Sequence, residues 1–293
     1  MDNISEILTA YNCVNLEERV QFALDGVVEK EVRQAYCAEN LEFCVTCMDY
    51  TTLRVTDTAD SVRNFAADLL KKLKKHELRD VAAVCVFPHY AKVVREVLQS
   101  TGIRTAVVAG NFPNSQTFTE IKINECKMAV EAGAQEVDVV ISVGDMLEKN
   151  YDKVYRELQA LREACKDVRM KVILETGELK DMETVFHASL IAAHARADFI
   201  KTSTGKVPVN ATPESVYVMC EAVKQYYAQT QRRVGIKVAG GVSKAQSAIR
   251  YLTIVSHVLG EEWLNPCHFR IGASQLLEDL VKEIKGLKMV AAE

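Results

Sequence analysis

Short runs in which nearly every position is apolar recur along the chain. They cover residues 42–49, 81–87, 104–109, 136–142, 170–175, 198–201, 234–239 and 269–271. Their wealth of Val and Ile predicts parallel strands buried on both faces. Between them the apolar positions switch to helical spacing. Val62, Phe65, Ala66, Leu69, Leu70 and Leu73 trace one stripe, with Lys71, Lys72, Lys74 and Lys75 around the back as a solvated face. Further helices are predicted over residues 90–100, 118–131, 146–165, 181–195, 213–228, 244–258 and 275–287. Thr212 followed by Pro213 reads as an N-cap with proline in the first helical position, and Ser243 as a second cap. Eight strand–helix pairs with short connections predict an α/β fold, a closed (β/α)8 TIM barrel over residues 41–293. Residues 1–40 precede the first strand and read as an N-terminal helical extension that covers the barrel bottom or one side, or mediates oligomer contacts.

Composition narrows the possibilities. A chain of 293 residues with 48% hydrophobic content suits one large buried core. A net charge of −4 gives no basic excess with which to displace counterions from nucleic acid. Residues 1–10 carry two acids and no base, so no signal peptide is expected, and no apolar run approaches the roughly 20 residues of a membrane span. The expectation is a soluble cytoplasmic protein. Nine scattered cysteines, an odd number, do not read as a disulfide framework. Cys44 and Cys47 form a CxxC. On the strand predicted there, residues three apart face opposite ways, which predicts reduced thiols rather than a metal or redox site.

The charged residues then change the picture. Asp138, Lys201 and Lys237 interrupt otherwise apolar strands, and Asp49 ends the first one. An unpaired buried charge is very costly. A plain Asp–Lys ion pair uses only two of the three residues, so the second lysine needs another reason. Amine activation supplies one. Lowering a lysine pKa from about 10.4 to about 7 takes roughly 4 to 5 kcal/mol, and a second ammonium with desolvation can provide much of it. The neutral amine can attack a carbonyl to form an imine, with Asp138 shuttling protons.

Small residues gather after the last three strands. These are Thr204-Gly205-Lys206, Gly240-Gly241 and Gly272-Ala273-Ser274, whose backbone N–H groups and helix N-termini can hold a phosphate. No GxGxxG or GxxxxGKS motif follows an early strand. The six histidines form no HxH or HExxH group; His187 and His194, seven apart, read as surface or packing residues, and no metal site is expected.

The pieces Val137-Asp138-Val139-Val140, Phe199-Ile200-Lys201-Thr202-Ser203-Thr204-Gly205-Lys206, Gly235-Ile236-Lys237-Val238-Ala239-Gly240-Gly241 and Arg270-Ile271-Gly272-Ala273-Ser274 resemble the deoxyribose-phosphate aldolase family. Met48-Asp49-Tyr50-Thr51-Thr52-Leu53 and Val84-Cys85-Val86-Phe87-Pro88 are similar to its first two strand ends, and the resemblance spans residues 44–285. It implies reversible cleavage of 2-deoxy-D-ribose 5-phosphate to acetaldehyde and D-glyceraldehyde 3-phosphate, with no cofactor, in deoxyribonucleotide catabolism. By position it makes Lys201 the Schiff-base lysine, with Asp138 and Lys237 as acid/base and pKa-tuning partners. Gly205, Gly240, Gly241, Gly272 and Ser274 would face the phosphate, Asp49 and Lys206 the sugar hydroxyls, and Cys85 and Thr204 the substrate. A homodimer is the family-like expectation. Three positions depart from the pattern: Val238 stands for a proline, Gln275 for a second serine, and the last tyrosine, Tyr251, lies far from the C-terminus. Another imine-forming barrel, or a barrel kept only for binding, are the rival readings; trials of alternative phosphosugars separate the first, and loss of one of the three charged residues would mark the second.

Overall fold

The structure, a computed structural model, describes residues 3–290. Eight parallel strands run in sequential order: β1 (Met48–Thr51), β2 (Ala83–Val86), β3 (Arg104–Ala109), β4 (Glu136–Val140), β5 (Arg169–Ile173), β6 (Phe199–Lys201), β7 (Gly235–Ala239) and β8 (Phe269–Ala273). They close into a barrel, with β1 paired to both β2 and β8. Four helices precede β1: α1 (Ile4–Leu8), α2 (Leu16–Ala23), α3 (Glu29–Ala35) and α4 (Ala38–Thr46), with a π turn at Leu24–Val28 joining α2 to α3. The helices after the strands are α5 (Ala59–Lys75), α6 (Ala91–Leu98), α7 (Thr119–Glu131), α8 (Val143–Leu147), α9 (Tyr151–Ala164), α10 (Met182–His194), α11 (Pro213–Thr230), α12 (Ala245–Leu259) and α13 (Leu276–Val290). The fold is the expected (β/α)8 TIM barrel. Among the described residues, no helix is long and apolar enough to cross a membrane.

Strand register separates two kinds of interior. Residues paired across neighbouring strands share a face, and faces alternate along each strand. Cys85 pairs with Ala106, Ala106 with Glu136, Asp138 with Lys171, and Lys201 with Lys237. This face points into the barrel. Its wall at β2 and β3 is small and apolar (Ala83, Cys85, Ala106, Val108), and these residues form a cluster separate from the main core. On β4 through β8 and on β1 the same face carries charge. The opposite face, with Val137, Val139, Val172, Ile200, Ile236 and Ile271, belongs to the large core under the helices. At one end of the barrel the Phe199 ring occupies the space that a side chain at Gly235 would need, and the Arg270 guanidinium lies 5.4 Å from that ring.

The N-terminal helices wrap the outside as a strap. α1 packs on α9 and α10, α2 on α10 and α11, α3 on α12, and α4 on α12 and α13. Polar contacts follow the same path, including Ile4 N–H to Asp152 (3.0 Å), Tyr11 Oη with His194 (2.8 Å) and Tyr36 Oη to Glu283 (3.1 Å).

Three local expectations are corrected. The first strand is Met48–Thr51, because residues 42–46 belong to α4, where Leu41, Cys44 and Val45 sit at helical spacing and bury one face. Cys44 therefore lies in the last turn of α4 and Cys47 caps it, rather than the two being opposed strand residues. Burial pushes both thiols up, Cys47 to about 12, so neither is a thiolate near neutrality. The helix expected over residues 146–165 is two helices, broken before Tyr151 where Lys149 adopts φ +59°. Ser243 does not cap α12: Lys244 holds the cap position, and Asp279 accepts the Ala245 N–H at 2.8 Å. Thr212 does cap α11, in a reciprocal capping box with Ser215.

Candidate active site

Seven ionisable side chains meet inside the barrel. Asp138 on β4 accepts hydrogen bonds from three lysines: Lys171 through Oδ1 (2.8 Å), and Lys201 (2.9 Å) and Lys237 (2.7 Å) through Oδ2. Lys237 also reaches Asp49 (2.5 Å), and Lys171 also pairs with Glu136 (2.7 Å) and Asp49 (3.3 Å). Arg270 closes the network against Asp49 (2.5 Å) and Glu136 (2.9 and 3.0 Å). All seven are buried. Four buried cations face three carboxylates, and the partly exposed Arg169 (3.2 Å) and Arg104 (3.6 Å) also reach Glu136, so full ionisation would leave positive charge without a counter-charge in a low-dielectric interior, a costly state.

The excess falls on Lys201. Burial and the neighbouring Lys237 ammonium lower its pKa below the ordinary lysine value, against the opposing pull of Asp138. The other two lysines move the opposite way. Burial works against their charge, but Asp138 and Asp49 outweigh it at Lys237, and Asp138, Asp49 and Glu136 at Lys171. Burial alone would raise the pKa of Asp138, yet Lys171, Lys201 and Lys237 hold it well below the usual carboxylate range. With Lys201 neutral, three cations balance three carboxylates. A neutral amine still donates the hydrogen bond to Asp138.

A cavity of about 390 Å³ opens above the network, lined by Lys201 and by Thr204, Gly205, Lys206, Gly240, Gly241, Gly272 and Ser274. It therefore gathers eight of the residues expected from sequence. Asp138 and Lys237 lie beneath Lys201 rather than on the cavity wall, as does Asp49, which is bonded to Lys237 and Arg270. Cys85 is buried in the inner wall on β2 and likewise does not line the cavity; burial raises its thiol pKa. Gln275 lines the cavity, whereas the Tyr251 hydroxyl is bonded to the Ala211 carbonyl (3.0 Å) and lies elsewhere.

Local backbone explains the cavity wall. Gly240 and Gly241 have φ +87° and +75°, and a side chain at Gly240 would run into Asn210. A Cβ at Gly272 would approach Lys237 Cε to 3.1 Å, so this glycine leaves room for the buried lysine stem. Thr204 is fixed from behind by Glu175, which accepts its N–H (3.0 Å) and hydroxyl (2.6 Å). Sequence reasoning missed Lys171, Glu136, Arg270, Glu175 and the cavity-lining Arg54. Lys171 carried the same signal as Lys201, a cation inside the apolar run Met170-Lys171-Val172-Ile173.

Residues 43–255 match the model of the DeoC/LacD family aldolases. The chain is 40% identical over 266 residues to the deoxyribose-phosphate aldolase of Bos taurus, covering 87% of this chain and 84% of the relative. It is 38% identical over 292 residues to that of Homo sapiens, covering 96% and 90%. Among solved structures, a tetrameric deoxyribose phosphate aldolase from Aeropyrum pernix superposes with a TM-score of 0.66 at 25% identity, covering 88% of this chain and 97% of the other.

Proposed function

The chain belongs to the DeoC/LacD aldolase family, and from that premise we infer that it is a deoxyribose-phosphate aldolase working through a Schiff base on Lys201. It is a lyase that cleaves 2-deoxy-D-ribose 5-phosphate reversibly to acetaldehyde and D-glyceraldehyde 3-phosphate. The observation that carries the lysine assignment is that Lys201 alone, of the seven network residues, lines the cavity, and it is the lysine whose pKa falls.

The chemistry follows from that placement. The neutral amine adds to the substrate aldehyde, and the carbinolamine takes up a proton and loses water to give an iminium ion. Cleavage of the C2–C3 bond sends its electron pair into the iminium, giving an enamine, while the C3 hydroxyl proton leaves and the phosphorylated aldehyde departs. Protonation and hydrolysis of the enamine release acetaldehyde and the free amine. The iminium is itself the electron sink, so the reading needs no metal or organic cofactor. Asp138 Oδ2 accepts from both Lys201 and Lys237, so a single carboxylate oxygen links the two nitrogens for proton exchange.

Phosphate is assigned to the backbone of Gly205, Gly240, Gly241 and Gly272 with Ser274, close to the start of α13. Arg54 and Lys206 add cationic groups to the same wall. Thr204 and Lys206 are assigned to the sugar hydroxyls; Asp49 and Cys85 are read as acting from behind the wall, through Lys237 and packing. A cytoplasmic, reducing setting and a role in deoxyribonucleotide catabolism complete the reading, supported by nine free thiols and by the substrate itself. The assembly is read as a homodimer, with exposed Phe118, Ile121 and Met128 at α7 as apolar surface for self-association. Residues 1–40 are read as an extension of a barrel that occupies residues 41–293.

Borohydride reduction in the presence of deoxyribose 5-phosphate and a chelator, followed by peptide mass mapping, tests the assignment. A reduced adduct on Lys201 is expected. A folded enzyme that turns over this substrate yet traps on another lysine, or on none, overturns it.

A further inference from the structure

Away from the barrel mouth, three metal-ligating side chains of different chemical type meet where the strap crosses α10. Cys13 lies in the connection between α1 and α2. Glu183 and His187 are four residues apart on α10, which places them on one helix face. One ligand atom from each, a sulfur, a carboxylate oxygen and a ring nitrogen, lies within 4.8 Å of the other two. His187 Nδ1 is also buried with no hydrogen-bond partner among the described residues, an unsatisfied state that native structures rarely keep. Neither Glu183 nor His187 caps α10; that task falls to Asp181, which accepts the Thr184 N–H at 2.6 Å.

We propose that Cys13, Glu183 and His187 form a binding site for a divalent transition-metal ion, Zn2+ by best match, which fastens the strap to the barrel wall. Thiolate with imidazole selects Zn2+ over the oxygen-seeking Mg2+ and Ca2+. Zinc bonds of about 2.0–2.3 Å need ligand atoms roughly 3.3–3.8 Å apart in a tetrahedron. Ligand atoms no more than 4.8 Å apart need contract by at most about 1.5 Å, and Cys13 is half-buried and Glu183 exposed. Charge balances: the thiol releases its proton to solvent, and thiolate plus carboxylate neutralise the dication, with water as the fourth ligand. None of the three residues lines the catalytic cavity, so the proposal stands apart from the aldolase reading.

The test uses the full chain, stripped of metal and titrated with Co2+ and then Zn2+. One Co2+ per chain is expected, with a thiolate-to-metal charge-transfer band that Zn2+ displaces. Cys13→Ser and His187→Ala lose the band, Glu183→Gln weakens binding, and Cys267→Ser, at the exposed thiol, retains it. Zn2+ should also slow protease cleavage between α1 and α2 in the wild type and not in Cys13→Ser. A band that survives Cys13→Ser, or a wild type that binds neither ion at about 100 µM, sinks the site. Zinc binding that leaves cleavage unchanged overturns the fastening role.

Discussion

Lys201 and Lys237 are register partners on adjacent strands, yet their environments drive them apart. Lys237 sits between two carboxylates, while Lys201 shares one oxygen of Asp138 and opens to the cavity. The charge count makes a sharp contrast between variants. Lys201→Leu removes the lysine whose pKa is lowered and leaves three buried cations against three carboxylates, so turnover should be abolished with unfolding stability near wild type. Lys171→Met takes away the lysine that pairs with Asp138, Glu136 and Asp49 together, leaving buried carboxylates short of a partner, and should cost about 3–5 kcal/mol. Urea unfolding of both variants checks this; equal destabilisation would mean that Lys201 is charged in the fold. The pH dependence has a definite sign. The pKa of Lys201 is lowered, so the fraction of free amine, and with it the rate, rises with pH through a value below that of ordinary lysine. Lys237→Leu removes the neighbouring cation and leaves Asp138 with less competition, and both effects raise the pKa of Lys201. The acidic limb of the kcat/KM profile should move to higher pH, and an unmoved limb would remove this role from Lys237. Asp138, Lys201 and Lys237 were legible because a charge inside an apolar run is conspicuous. Lys171 showed the same mark. Glu136 and Arg270 lie at strand beginnings, where a charge reads as a solvated end, and only barrel closure reveals that they face each other.

At the scale of elements, the strand–turn–helix units set the phosphate wall. The turn after β7 depends on left-handed backbone at Gly240, where Asn210 also blocks a side chain. Gly240→Ala should therefore displace the turn at a cost of roughly 1–2 kcal/mol, which corresponds to about a tenfold rise in KM for deoxyribose 5-phosphate. Unphosphorylated deoxyribose should lose far less. Equal losses on both sugars would show that the turn serves the reacting carbon rather than the phosphate. The barrel itself was readable because strands buried on both faces need long apolar runs. Two boundaries were not readable, for the same reason. In α4, Leu41, Cys44 and Val45 are apolar at a spacing that also fits a short buried strand, and packing on α12 and α13 decides for helix. Between α8 and α9 the apolar periodicity runs through the break, which a left-handed Lys149 makes without a glycine or proline to announce it.

At the scale of the whole molecule, the strap and the barrel bury one core between them. Ile4 and Val20 are fully buried, in contact with a hydrophobic cluster that extends to the helices around the strands. Sequence could mark residues 1–40 as helical but not where they lie, because contacts such as Tyr11 with His194 join positions that no local pattern relates. If the two parts form one cooperative unit, a cavity in the strap must weaken the barrel. Ile4→Ala removes a side chain with no exposure and should cost about 2–4 kcal/mol of global stability. The chain's one tryptophan, Trp263, provides the reporter. It is buried after α12, with its indole N–H on the Val234 carbonyl (2.9 Å), so its fluorescence follows the barrel. In urea, the tryptophan and far-ultraviolet dichroism transitions of Ile4→Ala should coincide at a lower midpoint than wild type. A dichroism loss that comes early, with the tryptophan transition unmoved, would mean that the strap melts off an intact barrel. Only a shift seen at Trp263 makes the strap part of what keeps the seven buried charges together.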